Sequence, residues 1–210
     1  MTLALSSDEL LTTTRSVRKR LDFTRPVERD LVETCARLAF QAPNGSNQQR
    51  WQWLLIDDPE VRRDVAAIYS ASFGDFTPRP EDRSDYSSAS AQRMSRSVMY
   101  LRDNLERVPV LVIPTLRGRL DGEDIFYQAS LWGSILPAVW SFMLALRARG
   151  LGSAWTTIHL HREREMAELL GIPFDQYTQA GLFPVAYTLG TDFKAGDRSL
   201  SENAVHWNHW

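Results

Sequence analysis

The 210-residue sequence contains a single cysteine, Cys35. One thiol cannot close an internal disulfide, so no oxidative framework is implied and a reducing cytoplasm suits the chain. Neither sign of charge is in excess: 24 Lys and Arg stand against 26 Asp and Glu, for a formal net charge of -2. A near-neutral chain makes neither nucleic acid nor an anionic membrane its natural partner. Metal patterns are missing as well. His159 and His161, and His206 and His209, form close pairs without acidic or cysteine neighbours, and they read as structural histidines. No G-x-G-x-x-G, Walker A or G-x-S-x-G run occurs, so the signatures of a Rossmann site, a P-loop and a nucleophile elbow are absent. The opening "MTLALSSDELL" has no basic stretch and reaches acidic residues by Asp8, unlike a cleavable signal.

One long stretch lacks charge. Ile125 to Leu146, "IFYQASLWGSILPAVWSFMLAL", is long enough to cross a membrane. It also holds Gln128, Ser130, Ser134, Pro137 and Ser141, and it stands alone in a polar chain. It reads as a helix buried on most sides, in the core or at a subunit interface.

What is present alternates irregularly between helix and strand signals. Ser6 and Ser7 suit the cap of a short helix over "DELLTTT", with Asp8 and Glu9 in its first turn. Thr24 to Pro26 opens a helix over about 27–41, with Leu31, Val32, Cys35, Leu38 and Ala39 as its apolar stripe. "WQWLLI" reads as a strand and "PEVRRDVAAIY" as a helix with Pro59 in its first turn. Ala71 to Arg93 is rich in Ser, Asp, Arg and Pro and looks like an excursion, followed by an amphipathic helix through Met94, Val98, Leu101 and Leu105. "VPVLVIPT" is a buried strand, "LGSAWTTI" a strand or extended loop, "REREMAELLG" a helix closed by Gly171, and "FPVAYTLG" a last strand. The tail "NAVHWNHW" carries two tryptophans, which predicts that it packs on something. The fold class is α+β, one domain over 1–210, with a small mixed, mainly antiparallel sheet flanked by helices.

Three polar stretches remain. "TTTRSVRKR" gathers Arg15, Ser16, Arg18, Lys19 and Arg20, and guanidinium forks with a hydroxyl suit a phosphate. "APNGSNQQRW" places the amides of Asn47 and Gln49 after a turn, where they suit hydroxyls and ring edges. Lys194 and Arg198 lie near the C-terminus. Cys35 sits on its helix's apolar stripe and reads as an inert core thiol.

The order of these stretches resembles the FMN-dependent nitroreductase family. "TTTRSVRKRLDF" followed by a helix and "APNGSNQQRW" is similar to that family's Arg-Ser-x-Arg element and "APSGxNxQPW". "RARGLGSAWTTIHLHREREMAELLGIP" is similar to its Gly-Leu-Gly strand and short helix, and "FPVAYTLG" with "DRSL" to its closing element. The match is poorest over about 71–107. The resemblance implies a nitroreductase-like fold, an intertwined homodimer with the long apolar helix at its core, and bound FMN. By the same resemblance, Arg15, Ser16, Val17 and Arg18 hold the phosphate and ribityl chain, Arg198 closes on the phosphate, and Asn47 and Gln49 touch the ribityl hydroxyls or ring edge. Pro43, Asn44 and Gly45 reach the flavin of the other subunit. Trp155, Thr156 and Thr157, with the backbone near His159 and Leu160, line the ring. The activity implied is hydride transfer from NADH or NADPH to the flavin and on to a nitroaromatic, quinone or other electron-poor acceptor. Dehalogenation, enone reduction or flavin destruction on the same scaffold stays open, as does a non-enzymatic module binding a phosphorylated ligand. The chain departs from the pattern at Thr14, where a basic residue is common, at Asn44 for Ser, and at Arg50 for Pro.

Overall fold

A computed structural model describes residues 2–77, 88–196 and 204–210. The first helix, α1 (Ser7–Thr13), forms where its cap dictates. The Ser6 hydroxyl accepts from Glu9 N at 3.2 Å, and the Glu9 carboxylate takes Ser6 N at 2.8 Å, a reciprocal capping box. Helix α2 spans Arg29–Ala39. Thr24 does not cap it: its amide and hydroxyl both bond Asp22 in a local turn, and the chain enters the helix later than predicted. Val32, Cys35, Ala36 and Ala39 are buried, whereas Leu38, expected on the same stripe, is 45% exposed. Burial pushes the Cys35 thiol up to about 11, which keeps it protonated and inert.

Strand β1 (Trp51–Ile56) leads to α3 (Pro59–Asp75), whose N-cap Asp58 accepts from Glu60 N and Val61 N. Helix α4 (Ala89–Arg102) starts at the Ser88 cap. The excursion expected over 71–93 is thus shorter at both ends. Then follow β2 (Val110–Arg117), α5 (Ile125–Arg147), β3 (Leu151–Ser153), α6 (Glu163–Leu170), β4 (Tyr177–Gln179) and β5 (Phe183–Tyr187). Gly171 ends α6 in the left-handed conformation, at φ 67°.

The sheet order is β1-β2-β5-β3, and β4 pairs with the far end of β2. Among the described residues every strand pair is antiparallel, and the parallel element is one bridge between Ser16 and Ser153, as a mainly antiparallel sheet requires. Strand β2 is buried on both faces, which is why it reads as an unbroken apolar run. Its residues alternate between two cores. Val110, Val112 and Leu116 face α2 and α5, with Ile135, Phe142 and Leu146. Leu111 and Ile113 face α3 and α6, with Val65, Ile68 and Met166. Helix α5 is apolar and long enough to cross a membrane, yet half of its most apolar window is buried inside the fold. Its N-terminal Ile125 and Phe126 remain 86% and 79% exposed. In the tail, Trp207 and Trp210 are exposed, and Trp210 stacks on His206, with ring centroids 5.1 Å apart.

Candidate functional site

The segment after α1 lies along β3. Val17 N donates to Ser153 O at 2.8 Å. That approach requires Gly152, where an added Cβ would stand 2.7 Å from Thr188 Cγ2 and 3.0 Å from Val17 Cβ. Arg15, Ser16 and Arg18 are thereby presented to an open cavity of about 650 Å³. Trp140 and Met143 of α5 form one wall, and Ser90, Arg93, Met94 and Ser97 of α4 another. Trp155, just past β3, completes it. Among the described residues no carboxylate lines it. A smaller cavity of about 270 Å³ shares Arg15, Ser16, Arg18 and Ser97 and continues to Lys19, Arg20 and Phe193.

The cations here are short of partners. Arg15 Nε is buried without a hydrogen bond. Among the described residues Arg18 reaches only Ser97 Oγ, at a long 3.5 Å, and burial pushes its guanidinium down from the usual arginine value against the opposing influence of Tyr69. Arg147, 5% exposed at the end of α5, leaves Nε and Nη1 unbonded and donates through Nη2 to Thr13. Burial, then the charge of Arg20, pushes it down too. Arg20 itself is neutralised by Asp192 at 2.5 Å. The Phe193 ring centroid is 4.3 Å from the Arg20 guanidinium and 5.0 Å from that of Arg147. Buried guanidinium N–H groups without acceptors are costly, and an anion in the cavity would satisfy those of Arg15 and Arg18.

The other predicted residues divide. Trp155 lines the cavity and its indole N–H donates to Ala180 O at 3.0 Å. Gly181 makes room for it: its φ is +150°, and an added Cβ would meet Trp155 Nε1 at 2.5 Å. Thr156 pairs with Leu182 through its backbone, and its hydroxyl lies 3.0 Å from the buried Tyr69 hydroxyl. Thr157 is exposed and starts a 3₁₀ turn through Leu160, whose amide it accepts at 2.9 Å. The His159 ring is fully buried away from the cavity. Burial lowers it to about 4; Gln179 opposes that weakly, without reaching hydrogen-bond geometry.

The amide loop lies elsewhere. Gly45 N donates to Ser134 Oγ at 2.9 Å, in the middle of α5, roughly 14 Å along the helix from Met143. Gln49 Nε2 donates to Asn47 Oδ1 at 3.1 Å, and Gln49 N to Asn44 Oδ1 at 3.0 Å. Pro43, Asn44, Gly45, Asn47 and Gln49 therefore do not line the arginine cavity of their own chain. Ser46, Asn47 and Gln49 all have φ near +50°, a left-handed run that only Asn tolerates readily. Arg198 lies outside the described residues.

The model of the nitroreductase family matches residues 11–187. The chain belongs to the nitroreductase family. A protein of Archaeoglobus fulgidus, named as a candidate NADH dehydrogenase/NAD(P)H nitroreductase, is 24% identical over 96% of this chain and 97% of its own. Among solved structures, the FMN and NADPH-dependent nitroreductase NfnB from sphigopyxis sp. strain HMH superposes with a TM-score of 0.74 at 21% identity, over 98% of this chain and 100% of that one. Iodotyrosine deiodinase bound to FMN and 3-iodo-L-tyrosine superposes with a TM-score of 0.68 at 20% identity, over 95% and 98%. Likeness at this identity establishes the fold.

Sequence reading missed Trp140, Met143, Arg93, Met94 and Ser97 as cavity walls, and Tyr69 and Arg147 beside them. None of them carries a local signal: even Trp140, 39% exposed on α5, reads in sequence as one more apolar residue of that helix.

Proposed function

We propose that the protein is an FMN-dependent oxidoreductase that takes hydride from NADH or NADPH and delivers it to a nitroaromatic, quinone or other electron-poor acceptor. The observation that carries this is the cavity, lined by no carboxylate among the described residues, in which the partly buried Arg15 and Arg18 are short of acceptors beside the ring of Trp155. Those groups fit an anion joined to a planar ring. Arg15, Ser16 and Arg18 would hold the FMN phosphate and ribityl chain, with the Val17 backbone fixed on β3 and Arg198 closing from the C-terminal side. Trp155 would lie against the ring, and Thr156, Thr157 and the backbone at His159 and Leu160 would shape the turn behind it. When bound, FMN supplies the hydride exchange, and the chain supplies position and electrostatics. The absence of a dinucleotide fingerprint fits one open cavity that serves donor and acceptor in turn.

The amide loop faces away from this cavity in its own chain, which supports a homodimer in which Pro43, Asn44, Gly45, Asn47 and Gln49 serve the partner's flavin. The bare end of α5 and the exposed tail tryptophans support the same assembly. A lone, buried, inert cysteine suits a reducing cytoplasm. Reductive dehalogenation is the second reading, because iodotyrosine deiodinase shares the fold.

The test is purification. The expected product is yellow, releases about one FMN per chain on denaturation, sediments as a dimer and oxidises NADH or NADPH when a nitroaromatic is added. Colourless protein that binds no FMN on titration would refute the reading. Release of halide from a halophenol in place of nitro reduction would favour the second one.

A further inference from the structure

We infer that the acceptor this site takes joins a flat aromatic ring to an anionic group, and that Arg93 holds the anion. The inference deepens the flavin reading and rests on it. Among the described residues, the larger cavity is lined by three guanidiniums, Arg15, Arg18 and Arg93, and by no carboxylate. An FMN phosphate carries close to two negative charges at neutral pH, which Arg15 and Arg18 match. Arg93 is left over. It stands on α4, exposed, with no ion pair or hydrogen bond among the described residues. It lines the larger cavity and not the smaller one, where Lys19, Arg20 and Phe193 crowd the arginine segment.

Part of the cavity that Arg93 lines is apolar. Met94 follows it on α4, and Trp140 and Met143 of α5 line the same cavity. An indole and two thioethers offer a face to a planar ring, and a guanidinium offers a fork to a carboxylate, phenolate or sulfonate at its edge. A neutral ring would use the apolar wall and leave Arg93 in water. A bare anion would use Arg93 and leave Trp140 and Met143 uncovered. Only a ligand with both parts uses both.

The experiment compares 4-nitrobenzoate with its neutral isostere 4-nitrobenzamide as acceptors for the holoenzyme, at saturating NADH and again at saturating NADPH. The wild type is expected to favour the carboxylate about tenfold in kcat/KM, the scale of one hydrogen bond to a charged group. Arg93→Ala should bring the ratio close to one, and Arg93→Lys should restore part of it. Calorimetric titration of the oxidised holoenzyme with 4-nitrobenzoate should show a Kd about tenfold weaker in Arg93→Ala, and raised salt should narrow the gap. A flavin-loaded wild type that treats both compounds alike, or equal losses on both in Arg93→Ala, overturns the inference while leaving the flavin reading intact. A change in NADPH over NADH preference with an unmoved acceptor ratio overturns it too and assigns Arg93 to the donor's 2′-phosphate. Protein that binds no flavin and reduces neither compound overturns the flavin reading, and this inference with it.

Discussion

The arginine segment and the amide loop are both polar stretches next to α5, and the chain treats them in opposite ways. Thr14–Arg20 is fastened along β3 by the Val17–Ser153 bond and the close approach at Gly152, and its guanidiniums are turned into a cavity with too few acceptors. Residues 43–49 are mostly exposed, satisfy their amides on each other, and hold three non-glycine residues in the left-handed region. One region has unmet hydrogen-bonding demand but a settled backbone. The other has met its demand at the cost of backbone strain. Unmet demand points to a ligand that this chain holds itself; strain in an exposed loop points to a surface that something outside the chain must fit.

The largest effect that can break this comparison is at Arg18. Under the proposed function, Arg18→Ala should weaken FMN binding by about 1.5–3 kcal/mol, because it removes a charge-assisted contact from a partly desolvated site. Lys19, exposed one residue on, lines only the smaller cavity, and Lys19→Ala should cost far less, since a screened surface charge contributes little. Fluorescence titration of apoprotein with FMN measures both. Equal dissociation constants for the two variants would show that the cavity does not distinguish its arginine from its neighbours.

A smaller effect sharpens the claim that the segment is fixed within its own chain. In Gly152→Ala, the new Cβ meets Thr188 and Val17 at distances that force β3 and the arginine segment apart. Overpacking of this kind costs about 1–3 kcal/mol, and here about 2 kcal/mol of chain stability should be lost together with FMN affinity. Thermal melts of apo and FMN-loaded protein follow both quantities. If stability falls and FMN affinity holds, the segment binds FMN without needing its register on β3.

How much of this could be read from the chain depended on whether the signal was local. The serine cap of α1, the strand "WQWLLI" and the Gly171 stop rest on neighbouring residues, and each stands where the sequence predicts. Strand β4, "YTQ", is a strand only because Thr115 to Arg117 lie beside it, and three residues carry no period of their own. Leu38 fits the helical stripe of α2, but α5 packs against the face one position over and leaves it in water. The cavity shows the same limit. Arg15 and Arg18 announce themselves as a cationic run, whereas Arg93, Ser97 and Trp140 join them only because α4 and α5 fold over that run. Arg147 reads as an ordinary basic residue in the last turn of a helix, and nothing short of the fold reveals that it is buried with two unbonded nitrogens.

The smallest effect is on the loop side. Ser46, at φ 52° and ψ 23°, is the left-handed residue least suited to its conformation by local chemistry, since glycine would occupy it without the steric cost that a Cβ imposes. Glycine also widens the unfolded ensemble, so the two contributions partly cancel. Ser46→Gly is therefore expected to stabilise the isolated chain by only roughly 0.5 kcal/mol, visible as a slight rise in apoprotein melting temperature. Its effect on the assembled protein should carry the opposite sign. If the loop's fixed shape is what meets the partner's flavin, freeing it makes FMN dissociate faster, because the ordering once built into the loop must now be supplied on binding. Stopped-flow release of FMN from the loaded protein measures this directly. A variant that melts higher and also releases FMN at the wild-type rate would mean that the strained loop serves the chain alone, and the contrast with the arginine segment would then be one of packing rather than of assembly.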